Sequence, residues 1–111
     1  MESGMQFGLP QKNVESIRKV LSRFPQVEQA VLYGSRAKGT HKAGSDIDIT
    51  LIGNAITSQI IFNILNEIEL LNMPYDVDIS AFKEVKHEAL REHIKRVGKV
   101  FYQKGNSSEY R

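Results

Sequence analysis

Residues 31–51, VLYGSRAKGTHKAGSDIDITL, decide how the rest of the chain is read. The apolar run Ala30 to Tyr33 breaks at Gly34-Ser35 and passes through a basic loop carrying Arg36, Lys38 and Lys42. It returns as SDIDITL, in which Asp46, Asp48 and Thr50 alternate with Ile47, Ile49 and Leu51. Alternation with period two marks a half-buried strand. A short apolar run stopped by a turn residue fits a buried strand. Two strands joined by a Gly-Ser turn and a basic loop are therefore the nucleus of the predicted fold.

Working outward, Val14, Ile17, Val20, Leu21 and Phe24 recur at spacings of three and four, which predicts an amphipathic helix between Pro10 and Phe24. Gly53 ends the SDIDITL strand. From about Ala55 to Asn72 the set Ile56, Ile60, Ile61, Ile64, Leu65, Ile68 and Leu71 follows the helical period, and Met73-Pro74 closes it. YDVDISAF repeats the strand alternation, with Asp76, Asp78 and Ser80 on one face and Val77, Ile79 and Ala81 on the other. A last helix is expected from about Lys83 to Val97 with Gly98 as its C-terminal cap, followed by KVFYQ as a short strand. Strands alternating with helical connections predict an α/β fold, a small sheet with helices on one or both faces.

The 111 residues suffice for one domain and leave no room for a second module to grip a large substrate. Hydrophobic content of 41% and charged content of 25% are ordinary globular values. The absence of cysteine excludes thiol chemistry and Cys-based metal sites. No apolar run has the length of a membrane span, and MESGMQFGLPQK lacks the basic start and apolar core of a signal peptide, so no membrane association and a cytoplasmic location are expected. A formal net charge of +2 gives no support for binding a long nucleic acid, although local basic clusters can still meet phosphates.

GSRAKGT has the glycine spacing of a P-loop, but Thr40 and His41 stand where the lysine and hydroxyl should be. As a dinucleotide fingerprint it fails because Arg36 takes the place of the second glycine. What survives is a glycine that lets the backbone approach an anion, a serine offering hydroxyl and N–H, and a surround of Arg36, Lys38 and Lys42: a polyphosphate site. Beside it, Asp46 and Asp48 project from one strand face, about 7 Å apart along the backbone. Like charges that close repel, and a hard divalent cation such as Mg²⁺ removes the repulsion. Two such ions about 3.5–4 Å apart can clamp an in-line displacement at phosphorus. Asp78 or Asp76 on the neighbouring strand would complete the ligand set and help deprotonate an attacking hydroxyl.

Taken singly, alternating aspartates are commonly a solvated face and Gly-Ser commonly a turn. Their conjunction with a basic loop favours a site. His87 and His93 lack metal-ligand spacing and are expected at the surface or facing a partner. His41 is open to phosphate or to solvent, and Tyr33 is expected in the core.

At Gly34-Ser35, the spacer Arg36 to Ser45 and Asp46-Ile47-Asp48, the chain resembles the polymerase-β-like nucleotidyltransferases, and most of all their minimal nucleotidyltransferase (MNT) members. GSRAKG, SDIDI, PYDVDI and ALREHIKRVGKVFY carry the likeness over about residues 10–103, which leaves 1–9 and 104–111 as expected flexible termini. The resemblance implies a small mixed β-sheet with packed helices and Mg²⁺-dependent transfer of AMP from ATP to a hydroxyl, with two metal ions. By it, Gly34 and Ser35 would hold the β and γ phosphates, and Asp46, Asp48 and Asp78 would be the catalytic metal ligands. Asp78 is preferred to Asp76 because it is embedded among apolar residues in VDIS. Arg36 and Lys38 would stabilise the leaving pyrophosphate. MNT proteins pair with HEPN-type toxins, so the resemblance implies an antitoxin that modifies its toxin, with acceptor recognition left to the partner or to a second copy of the chain. The alternatives are an antitoxin acting by complex formation without turnover, and transfer to a small molecule or an RNA 3′ end.

Overall fold

The computed structural model describes residues 5–105. In chain order these form β1 (Met5–Gln6), β2 (Leu9–Pro10), α1 (Gln11–Ser22), β3 (Gln29–Tyr33), α2 (Ser35–Lys38), β4 (Ile47–Ile52), α3 (Ser58–Glu69), β5 (Val77–Ala81), a 3₁₀ turn (Phe82–Glu84), α4 (Glu88–Val97) and β6 (Lys99–Gln103). One four-stranded sheet, in the order β5-β4-β3-β6, carries the fold; β4 and β5 are parallel, while β3 is antiparallel to both β4 and β6. Among the described residues no helix is long and apolar enough to cross a membrane.

The period-two pattern sorts the sheet into two faces. Ala30 and Leu32 of β3, Ile47, Ile49 and Leu51 of β4, and Ile79 and Ala81 of β5 join the α1 stripe (Val14, Ile17, Val20, Leu21) and Ile64 and Ile68 of α3 in one core cluster. Tyr33, Asp48, Thr50, Asp78 and Ser80 occupy the opposite face. There α4 lies across β3, and its Ile94 borders a groove with Val31 and Ile52. Thr50 is fully buried on this face, and the Ser80 hydroxyl donates to its hydroxyl at 3.0 Å. The polar alternation is thus covered at Thr50 and open at Asp46 and Asp78. In β6 the register shifts opposite Ala30/Val31, and this bulge turns the neighbours Phe101 and Tyr102 both into the core.

Several boundaries differ from expectation. The long helix is shorter at both ends: the Thr57 hydroxyl caps it by accepting the Ile60 N–H at 3.2 Å, and Asn72 adopts a positive φ before Pro74. The expected helix over 83–97 is a 3₁₀ turn followed by α4, whose N-cap is His87, with Nδ1 accepting the Leu90 N–H. Arg91 holds the break by donating to the carbonyls of Phe82 (3.0 Å) and Val85 (2.8 Å) and stacking on the Phe82 ring. Gly98 does follow α4, but with φ −61 and ψ 145 it is extended and not left-handed. It is glycine because a Cβ there would collide with the Ile94 carbonyl and come within 2.6 Å of Val31 Cγ1.

Residues 5–9 lie outside the domain expected from the sequence, yet they form a hairpin in which Gln6 pairs with Leu9 and Leu9 is completely buried. Two-residue strands carry no readable period, which is why the hairpin escapes sequence reading. The remaining parts of the expected flexible termini, 1–4 and 106–111, lie outside the described residues.

Candidate active site

β3 delivers the site's first element. At its end Gly34 has φ 79 and ψ −158, a region essentially reserved for glycine. A Cβ at Gly34 would stand 2.5 Å from Asp48 Oδ2, so glycine is required both for conformation and for the approach of that carboxylate. Both peptide groups of Gly34 are held: its carbonyl accepts the Lys38 N–H at 3.1 Å, and its N–H donates to His93 Nε2 at 3.2 Å. Ser35 then opens the single turn of α2, which Gly39 closes in the left-handed conformation.

Strand register gathers the carboxylates. Tyr33 pairs with Asp48 across β3 and β4, and Asp48 with Asp78 across β4 and β5. Asp46 precedes β4 by one residue and is exposed, as is Asp78, while Asp48 is half-buried. Burial, then the negative charges of Asp78 and Asp46, push the Asp48 carboxyl above its ordinary range. A positive charge on His93 would offset part of that rise. With Nε2 accepting the Gly34 N–H, however, the imidazole is neutral in this arrangement, so the offset needs that bond to break. The Tyr33 phenol is also raised, chiefly by burial and then by Asp78, with Asp48 adding to this and a hydrogen bond to Ser80 opposing it. Asp76 faces a different neighbourhood. It lines a cavity of about 440 Å³ with Leu65, Ile68 and Met73, while its backbone carbonyl accepts the Ile47 N–H.

Not every predicted residue joins this cluster. Arg36, read as a phosphate contact, is only 3% exposed. Its guanidinium donates to the carbonyls of Ser45 (3.1 and 2.9 Å), Phe7 (3.0 Å) and Gly8 (3.3 Å), and lies over the Tyr75 ring. It clamps the basic loop to the hairpin turn. His41 packs against that turn at Gly8, and His87 caps α4. Lys38 and Lys42 are exposed and remain the loop's outward charges. Sequence reasoning missed the approach of His93, which also meets the Tyr33 ring edge-on at 6.2 Å; Tyr33 itself is buried, as expected. No local signal connects His93 to Gly34, which lies 59 residues away.

The donor chemistry fits a hard divalent cation: Asp46, Asp48 and Asp78 offer only carboxylate oxygens, and none forms an ion pair among the described residues. Among those residues no three His, Asp or Glu side chains already converge as a ready ligand set.

A family model described as polymerase beta, nucleotidyltransferase matches residues 15–107. The chain belongs to that family. The α/β architecture with a mixed four-stranded sheet is the fold of that family. Solved structures agree. One described as a toxin-antitoxin with AMP-PNP superposes with a TM-score of 0.67 at 23% identity, over 88% of this chain and 79% of that one. The MNT antitoxin in complex with a tri-AMPylated HEPN toxin from Shewanella oneidensis gives 0.61 at 19% identity, covering 90% and 77%. An MntA-HepT toxin-antitoxin structure gives 0.61 at 20%, covering 90% and 78%. No curated protein sequence matches the chain.

Proposed function

We propose that this chain is a Mg²⁺-dependent adenylyltransferase that moves AMP from ATP to a hydroxyl of a HEPN-type toxin, acting as its antitoxin in the cytoplasm. The observation that carries the reading is the contact of the Asp48 carboxylate with Gly34, in register with Asp78 and within the field of Asp46. The glycine turn and the paired strands that carry Asp48 and Asp78 stand side by side, which supports a joint role. The likeness to an AMP-PNP complex and to an MNT antitoxin bound to an AMPylated HEPN toxin supports the choice of donor, acceptor and partner.

In this mechanism Ser35 and the Gly34 turn receive the β and γ phosphates, and Lys38 and Lys42 draw the anion toward them. Arg36, committed to backbone carbonyls, shapes the loop and leaves the pyrophosphate to these groups. Asp46, Asp48 and Asp78 would hold the divalent ions. When bound, the ions neutralise the carboxylates and the charge developing on the phosphoryl oxygens. The acceptor oxygen attacks the α-phosphorus, the bond to the β-phosphate oxygen breaks, and pyrophosphate departs. The hydroxyl proton passes to a carboxylate of the cluster, with Asp78 on the exposed edge strand best set to take it.

The test is mass spectrometry of the HEPN-like protein from the adjacent reading frame after incubation with this chain, ATP and Mg²⁺. One or more added AMP units are expected, and none with Asp48→Asn. An unmodified partner that is nonetheless neutralised by folded Asp46→Ala/Asp48→Ala protein would replace this reading with complex formation alone.

A further inference from the structure

Glycine is the residue with most backbone freedom, so a phosphate turn built on Gly34 needs something to hold it. One hold is local, the Lys38 N–H on the Gly34 carbonyl at 3.1 Å. The other is His93 Nε2, which accepts the Gly34 N–H at 3.2 Å from a different element. His93 is itself located. Its neighbour Ile94 is buried against the sheet, its ring meets Tyr33 edge-on at 81°, and Gly98 lets α4 close onto Val31.

We propose that His93 is a positioning residue of the nucleotide site: by accepting the Gly34 N–H it fixes the Gly34-Ser35 turn in the conformation that receives the triphosphate. The inference rests on the nucleotide-binding reading above. The Gly34 N–H is thereby committed to the protein and not to phosphate. Without the acceptor, the turn regains freedom that nucleotide must remove on binding, and affinity falls. Because the histidine comes from α4, the C-terminal helix and the phosphate turn become one mechanical unit.

The test uses the full chain with Mg²⁺ and AMP-PNP, in wild type, His93→Ala, His93→Gln and His93→Asn. The Gln oxygen reaches the place of Nε2, whereas the Asn oxygen falls short of it. Titration calorimetry is expected to show AMP-PNP bound about three- to tenfold more weakly by Ala and Asn, the scale of one lost hydrogen bond. Gln should stay within about twofold of wild type. In the free protein, the Gly34 amide should exchange faster in Ala and Asn and as slowly as wild type in Gln. Under turnover, KM for ATP should rise more than kcat falls.

Should Ala not fold, the comparison of Gln with Asn decides. Equal or tighter binding in Ala or Asn overturns the inference, as does Gln binding as weakly as Asn when both melt like wild type. If wild type itself does not bind AMP-PNP, the nucleotide reading falls and takes this inference with it. If wild type binds and the variants do not separate, the inference alone falls.

Discussion

The Asp48 carboxylate is partly withdrawn from water, stands beside Asp78 in the parallel pair, and would touch any side chain placed at Gly34. Burial and its acidic neighbours raise its folded-state pKa above the ordinary 3.8. Between the ordinary and the raised value the folded protein keeps a proton that the unfolded chain has released. Stability therefore falls as pH rises through that interval, and above it the ionised group is a constant burden. Asp48→Asn should raise the Tm at pH 7, and the difference from wild type should shrink toward pH 3, where both side chains are neutral. The same change should lower AMP transfer by about 10²-fold or more, the scale of losing one preorganised electrostatic group. A thermal scan with no gain at pH 7 would argue that Asp48 is better solvated than its surroundings imply. The turn at Gly34-Ser35 and the strand that carries Asp48 were legible because a turn followed by a period-two strand is written in adjacent residues. His93 was not, because its meaning depends on a contact made across 59 positions.

Among the elements, α2 and the hairpin β1-β2 show how a weak local signal is rescued by long-range bonds. Four residues do not make a stable helix alone. Arg36 ties α2 to the carbonyls of Phe7, Gly8 and Ser45, and so fastens both the hairpin turn and the approach to β4. Arg36→Ala should therefore cost about 2–4 kcal/mol in urea denaturation, since a buried charged donor with several carbonyl partners is lost and those carbonyls are left unpaired. Arg36→Lys should recover little, because an ammonium cannot reproduce the planar fork. An unchanged urea midpoint for Arg36→Ala would return this residue to the phosphates. The two longest helices were legible from their apolar stripes. The break before α4 was not, because Arg91 imposes it through carbonyls that only the fold brings near.

For the molecule as a whole, the carboxylates come from strands separated by the entire α3 segment, so a cation held as proposed would link its binding to folding. Mg²⁺ at about 100 times its dissociation constant should stabilise the protein by about 2.7 kcal/mol. Differential scanning calorimetry should show that gain as a rise in Tm, and the rise should vanish in Asp46→Ala/Asp48→Ala. A rise that persists in the double variant would locate the cation elsewhere. This readout needs neither ATP nor a partner, so it separates the metal site from the acceptor.

The apolar periods were enough to predict an α/β fold, and the Gly-Ser to D-x-D spacing carried the resemblance to the nucleotidyltransferases and marked the candidate acids. Each is a property of neighbours along the chain: turn chemistry, strand alternation and helical stripes act over a few residues. The remainder waited on packing. Strand register set Asp78 against Asp48, while Asp76, one residue before β5, lines the cavity beside α3. Packing buried Thr50, the docking of α4 on β3 brought His93 to Gly34, and burial turned Arg36 from a candidate phosphate ligand into a clamp. The physical reason is common to all of these. The alternative partners are chemically equivalent in sequence, and only closing the sheet and docking the last helix selects among them.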